Sequence, residues 1–294
     1  MPYTIKNNPS PAPNLQALLE ETMHQCDHLA RRDHDPVGRV WEYTDAEDRE
    51  IVALFASGLA YGQVRVLREA ISEALAPLGD RPAHTLRQLS PEELGALWPA
   101  FTYRMTRGED LADLACAIAR TLQREGSLRA LYLAGAAGRR EVATPTDHLE
   151  AASHFVRALR ARRMRPELAR GFRYLLPDPA DGSTCKRLHL FFRWMSRGPD
   201  GIDLGLWPEL RPGALVMPLD THTSRLCRYL GLLTRKTLDA RAALEVSQAL
   251  ARFDAKDPLK YDFALCHLGI GRRCIHRRSE EHCPGCPIEA ACTL

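Results

Sequence analysis

Four of the nine cysteines stand together near the C-terminus: Cys274, Cys283, Cys286 and Cys292, spaced C-x8-C-x2-C-x5-C. Four soft thiolate ligands within 19 residues converge only if something holds them there. Pro284, Gly285 and Pro287 supply tight turns between them. A four-cysteine zinc site is one reading. Zinc ribbons, however, pair two C-x2-C knuckles across a longer loop, and here a single knuckle is flanked by lone cysteines. Unevenly spaced cysteines in one short loop suit a [4Fe–4S] cubane, whose four irons each take one thiolate. Unassociated thiols are the third reading. Cys26, Cys116, Cys185, Cys227 and Cys266 are scattered along the chain and read mostly as buried structural thiols.

Two further residues could carry chemistry. Residues 215–231 read LVMPLDTHTSRLCRYLG. Asp220 follows an apolar run and precedes a helix that ends at Gly231, which is the form of a helix N-cap. Lys186 opens another helix, after the Pro/Gly/Asp/Ser loop PDPADGST at 177–184. Taken alone, a lysine there is a solvated or phosphate-binding residue.

The run from Ala264 to Cys292, within YDFALCHLGIGRRC and the cysteine loop, resembles the C-terminal cluster loop of endonuclease III and of the adenine glycosylase in the same superfamily. Helix, glycine, basic residue and cysteine follow in the same order, and the x2 and x5 spacings agree. The first gap is x8 here and x6 there. The segment around Asp220 is similar to the Val-Asp-Thr-His element of those enzymes, and it lies about fifty residues upstream of the cluster. The whole chain, with CKRLHLFFRWMSR, DLGLW and PLDTH, also looks like an uncharacterised bacterial family with no assigned activity.

The glycosylase resemblance implies roles for named residues. Asp220 becomes the catalytic carboxylate, stabilising the sugar cation or activating the attacking nucleophile. Lys186 falls where bifunctional members keep a Schiff-base lysine. Gly182, Ser183 and Arg187 fall at the hairpin turn that offers backbone N–H groups to a DNA phosphate. Thr184 stands where a second glycine is usual, and the leading Leu-Pro-Gly is replaced. Arg272, Arg273, Arg277 and Arg278 in the cluster loop, and the arginines crowded over 157–173, are candidate phosphate contacts. Tyr61 and Gln63 fall near the duplex-probing loop. Trp207, in the loop 198–213 that appears inserted between Lys186 and Asp220, is a candidate base-stacking residue, set against its ordinary place in a core. His34-Asp35-Pro36-Val37 is unusual for a plain helix and has no role in this scheme.

The elements that must position these residues read as helical. Apolar positions recur at helical spacing in Ile51/Phe55/Leu59, Leu111/Leu114/Ile118/Leu122, Leu188/Phe191/Phe192/Met195 and Ala243/Val246/Leu250/Phe253. Asp45 or Asp48 can cap the first. No series of alternating strands stands out. The expected fold is all-α. The resemblance further implies two helical lobes of the helix-hairpin-helix DNA glycosylase type with a C-terminal cluster loop: 1–45 as an arm and helix packing with the cluster lobe, 46–216 as a helical barrel with a degraded hairpin at 177–197, and 217–294 as the Asp220 helix and cluster lobe.

With 45 % hydrophobic and 26 % charged residues the composition is that of a globular protein, and a net charge of +3 requires any anionic partner to be met by a local patch. No apolar run of 18 residues and no secretory h-region occur, so a cytoplasmic, membrane-free and monomeric protein is expected. The expected function is a DNA repair glycosylase, with or without AP-lyase activity, acting on a lesion in double-stranded DNA. The alternative is a non-catalytic iron–sulfur protein that binds nucleic acid and keeps the fold. One observation separates them: the enzyme needs Lys186 and Asp220 to face one pocket.

Overall fold

A computed structural model describes residues 14–270 and 274–294. Fifteen α-helices are found among them: α1 (Leu15–His24), α2 (His28–Arg32), α3 (Gly38–Trp41), α4 (Ala46–Leu59), α5 (Val64–Leu75), α6 (Pro82–Gln88), α7 (Pro91–Ala96), α8 (Gly108–Glu125), α9 (Leu128–Ala134), α10 (Pro145–Ala161), α11 (Arg170–Leu175), α12 (Lys186–Ser196), α13 (Thr221–Tyr229), α14 (Ala240–Ala251) and α15 (Asp262–Ile270). The protein is mostly helical, as the periodicity predicts. One two-residue hairpin departs from the pattern: β1 (Thr102–Tyr103) pairs antiparallel with β2 (Thr106–Arg107). It is too short to carry an alternation visible in sequence.

The helix starts follow side-chain chemistry. Asp45 accepts from the Glu47 and Asp48 amides and opens α4, and Ser90 with Glu93 forms a capping box on α7. Asp220 and Asp239 cap α13 and α14 by accepting from residues three further on. α4 is buried on nearly every face and packs against α3, α5 and α12. α8 packs against α6, α7 and α9. α1 lies on α15 and on the 3-10 turn Pro258–Tyr261. Glu20 in α1 accepts from the Tyr261 hydroxyl at 2.7 Å and pairs with Lys260 at 2.8 Å.

The loop 198–213 is folded into the core. Trp207 is 1 % exposed, and its ring meets Tyr132, Phe155, Phe191 and Phe192 at centroid distances from 5.3 to 6.3 Å. Its Nε1–H donates to Glu50 Oε1 at 2.6 Å. Asp203, also buried, is gripped by Arg193 and Arg197. Burial of one such ring contributes about 1.5–3 kcal/mol, which decides where this loop lies. Of the two readings of Trp207, base stacking is corrected and the place in the core holds, with its one polar atom satisfied internally.

Candidate functional site

A broad open cleft of about 1870 Å³ gathers the chemistry-bearing residues. Lys186, Leu190 and Arg193 line it from one face of α12, following the three- and four-residue spacing of a helix. Asp262, Phe263, Cys266 and His267 line it from α15, and Asp220 to His222 from the start of α13. The mouth is formed by Tyr61 to Gln63, Arg104, and Arg170, Arg173 and Tyr174 of α11. Arg31 and His34 to Pro36 complete the wall.

Lys186 and Asp220, 34 residues apart in sequence, meet here. Lys186 Nζ donates to Asp220 Oδ2 at 2.7 Å, while Asp220 Oδ1 accepts from the Thr223 amide at 2.8 Å. One carboxylate oxygen thus caps the helix and the other faces the lysine. The N-cap reading holds, and the same residue lines the cleft. Burial works against the Asp220 charge, but Lys186 and the Thr223 donors outweigh it, so its carboxyl lies below the usual range. Burial likewise opposes the Lys186 charge; Cys266 and Asp220 outweigh it and raise the amine above its ordinary value. Burial pushes the Cys266 thiol up to about 12, so at neutral pH that thiol is uncharged and Asp220 is the operative counter-charge.

The approach to Lys186 is unusual backbone. Gly182 has φ 81° and Cys185 φ 44°, both in the left-handed region. Gly182 adopts it without steric cost, whereas Cys185 is held there by its surroundings. The Cys185 thiol is buried beside the Ser183 hydroxyl at 3.2 Å, and the Gly182 carbonyl accepts from the Ala240 amide at 3.0 Å. Gly182 and Ser183 are exposed, and Ser183 lines the cleft.

Other expected site residues fall differently. Arg187 is 8 % exposed; its guanidinium donates to the Gly58 and Tyr174 carbonyls and lies 4.8 Å and 4.0 Å from the Tyr61 and Tyr174 rings. Two of its N–H groups are used inside the protein, so Arg187, although it lines the cleft, braces α4 and α11 through the Gly58 and Tyr174 carbonyls. Tyr61 is part of the same cluster, with its hydroxyl 2.9 Å from Thr106 Oγ1 and 3.0 Å from the Tyr103 carbonyl. Gln63 is exposed at the mouth. Much of the arginine run is also engaged: Arg157 with Asp178, Arg162 with Glu125, Arg165 with Asp110 and Asp113. By contrast, Arg31, Arg104, Arg170 and Arg173 line the cleft, and none has a carboxylate partner among the described residues. Sequence reasoning gave no role to Asp35, Asp262 or His267 and read Cys266 as a structural thiol. The 262/266 spacing, one helical turn apart in a run already singled out, is the signal that could have found the last three.

The cysteines form a second feature. Cys274, Cys283, Cys286 and Cys292 all border one small hollow, walled on its apolar side by Leu226, Ile275 and Ile288. Burial raises the Cys286 thiol pKa, the Ile288 amide donates to its sulfur, and the other three cysteines lie close enough to add to the rise. The Ser279 amide donates to Cys283 Sγ at 3.3 Å. Such N–H···S donors suit sulfurs that bear negative charge. Among the described residues, no three His, Cys, Asp or Glu side chains are grouped to hold a metal ion. Arg277 and Arg278 are exposed beside the hollow, and Arg278 pairs with Glu289 at 3.0 Å. Arg272 and Arg273 lie outside the described residues. Cys274 and His276 also line the cleft, and the His276 ring lies 5.7 Å from that of His222, so hollow and cleft adjoin.

A family described as "Protein of unknown function (DUF2400)" matches residues 35–271, and the chain belongs to that family. No curated protein matches the chain. Among the described residues no helix is long and apolar enough to cross a membrane.

Proposed function

We propose that the protein is a DNA glycosylase that receives a flipped, damaged nucleotide in the cleft and hydrolyses its glycosidic bond. One observation carries this reading: Lys186 and Asp220 form an ion pair of 2.7 Å in a cleft of about 1870 Å³. Support also comes from the arginines at the mouth, which have no carboxylate partner among the described residues, since phosphates are met by cationic side chains. Further support lies in the resemblance of the Asp220 segment and the cysteine loop to endonuclease III-like enzymes. On this reading residues 177–197, the turn before α12 and that helix, serve as the degraded hairpin, and the chain divides into the two lobes named above.

Asp220 supplies the negative charge against which positive charge develops on the sugar, and it accepts a proton from the attacking water. Lys186 holds that carboxylate ionised and oriented, and with its proton retained it faces a phosphate or the sugar oxygens. We take the four cysteines as the ligands of a [4Fe–4S] cluster, supported by their spacing, their common hollow and the N–H···S donors at Cys283 and Cys286. Bound there, a cluster would supply four iron–thiolate bonds that fix the loop carrying Arg277 and Arg278.

The second reading, a nucleic-acid binder without catalysis, draws on the same ion pair, because each charge already satisfies the other. Incubation with a panel of damaged duplexes, with and without borohydride, decides. Base release without a trapped adduct is the expected outcome. A trapped adduct lost in Lys186→Gln moves the nucleophile to the lysine. Salt-sensitive binding with no base release from any duplex leaves the second reading standing.

A further inference from the structure

Another titratable pair faces the same cleft. His267 Nε2 lies 3.9 Å from Asp35 Oδ2. The His267 Nδ1 is 2.9 Å from the Phe263 carbonyl, which can only accept, so Nδ1 carries a hydrogen and Nε2 is the nitrogen that gains or loses one. Asp35 is fixed from its other side, where Oδ1 accepts from the Val37 amide at 3.0 Å. The turn is tightly made: a Cβ on Gly38 would lie 2.6 Å from the Arg32 carbonyl oxygen. At 3.9 Å the two groups are coupled by charge and not by a direct hydrogen bond, and the pair holds one proton, either as imidazolium with carboxylate or as imidazole with carboxylic acid.

We propose that Asp35 and His267 share one mobile proton and deliver it to the departing base. This deepens the glycosylase reading and rests on it. As the bond between the anomeric carbon and the base nitrogen breaks, its electron pair goes to the base. The proton of the pair goes to that base, which leaves neutral. The anomeric carbon takes the oxygen of water, one water proton passes to Asp220 and on to solvent, and the pair regains its proton from solvent. The balance is one water added across one bond. The two walls thus divide the work: Asp220 answers the charge on the sugar, and the pair answers the charge on the base.

The surroundings favour a labile proton. Arg31 from α2 and Lys186 and Arg193 from α12 face the pair, Asp262 of α15 is neutralised by Arg193, and the His28 ring lies 5.5 Å from the Phe263 ring that packs on His267. Burial lowers the His267 pKa against the opposing pull of Asp35, and burial raises that of Asp35. Both shifts bring the two groups toward a common value, and the proton belongs to the pair.

The test compares single-turnover base release from pH 5 to 9 for the wild-type chain, His267→Gln and Asp35→Asn, with histidine 15N spectra of each full chain. The wild-type rate should fall as pH rises through the titration of the pair. Both variants should lose about 10²-fold and the alkaline limb with it, while binding of an abasic-site duplex stays unchanged. The spectra should show His267 protonated at Nδ1, titrating at a pH that Asp35→Asn displaces. Unaltered pH profiles, or a His267 that bears its hydrogen on Nε2 alone, overturn the proposal. If the wild-type chain releases no base at all, transfer to a base is overturned together with the glycosylase reading. Base release that keeps its alkaline limb in both variants overturns this proposal alone.

Discussion

Replacing Asp220 by Asn should separate catalysis from stability. The asparagine oxygen still accepts from the Thr223 amide, so the cap on α13 survives. What goes is the charge. Two unit charges 2.7 Å apart attract by roughly 6 kcal/mol at an effective dielectric of about 20, before desolvation is subtracted. Both side chains keep about a quarter of their surface in solvent, at 29 % and 27 %, so the net cost to the fold should be about 1–2 kcal/mol. A chain of 294 residues gains about 0.6 kcal/mol/K of unfolding entropy, and Tm should fall by about 2–3 °C. Loss of a preorganised counter-charge in the transition state costs about 10²–10³ in rate. Single-turnover base release and a thermal melt on one preparation measure the two numbers. Full activity in Asp220→Asn would undo the glycosylase reading. A fall in Tm above about 8 °C would mean that the residue acts mainly as a structural strut.

Anaerobically purified protein should contain about four irons and four sulfides per chain, lost in Cys283→Ser and kept in Cys116→Ser; one zinc and no sulfide would refute the cluster. Glu50, which accepts from the Trp207 indole, is pushed up to about 7 by burial from a usual 4.5. Its folded form binds the proton more tightly, so stability should decline as pH rises from 4.5 to 7, by about 3 kcal/mol from this group. Denaturant titrations of Glu50→Gln should lack that slope, and curves parallel to wild type would refute the assignment. Arg277→Ala, or Arg170→Ala with Arg173→Ala, should reduce the salt slope of duplex binding by about one unit for each phosphate the native side chain neutralises. An unchanged slope removes those residues from the interface.

The local signals were legible in the sequence. Helical spacing in 51–59, 109–123 and 186–196 places buried residues where the structure has them, because amphipathic periodicity depends on near neighbours alone. Caps such as Asp45 and Asp220 are equally local. Facing was not legible. Lys186 and Arg187 are adjacent and both line the cleft, yet one helical step of about 100° brings the first to Asp220 and the second to the Gly58 carbonyl, 129 residues away. Turn residues around Trp207 read as an exposed loop, but its Glu50 partner is 157 residues distant. The arginine run reads as one basic face until α8 supplies Asp110, Asp113 and Glu125 as partners. Asp35 and His267 are 232 residues apart, and only folding makes them one group.

The Lys186–Asp220 contact also sets the two chemical mechanisms against each other. A lysine nucleophile must be neutral. At 2.7 Å the nearest acceptor for its proton is Asp220, and the transfer would leave a neutral amine beside a neutral carboxylic acid. Asp220 would then no longer offer a charge to the sugar cation. Burial favours that neutral state, but the raised lysine and lowered aspartate show the charged state prevailing. Hydrolysis by water needs the charged pair, and Schiff-base formation needs the neutral one. Charging the pair is favoured over the whole interval between the two pKa values, so base release by water should vary little with the ionisation of this pair across neutral pH. Schiff-base chemistry, absent at neutral pH on this reading, should emerge only on the alkaline side, where the lysine gives its proton to solvent and Asp220 stays ionised. Base release and borohydride trapping measured separately against pH test this division, and trapping as strong at pH 7 as at pH 10 would refute it.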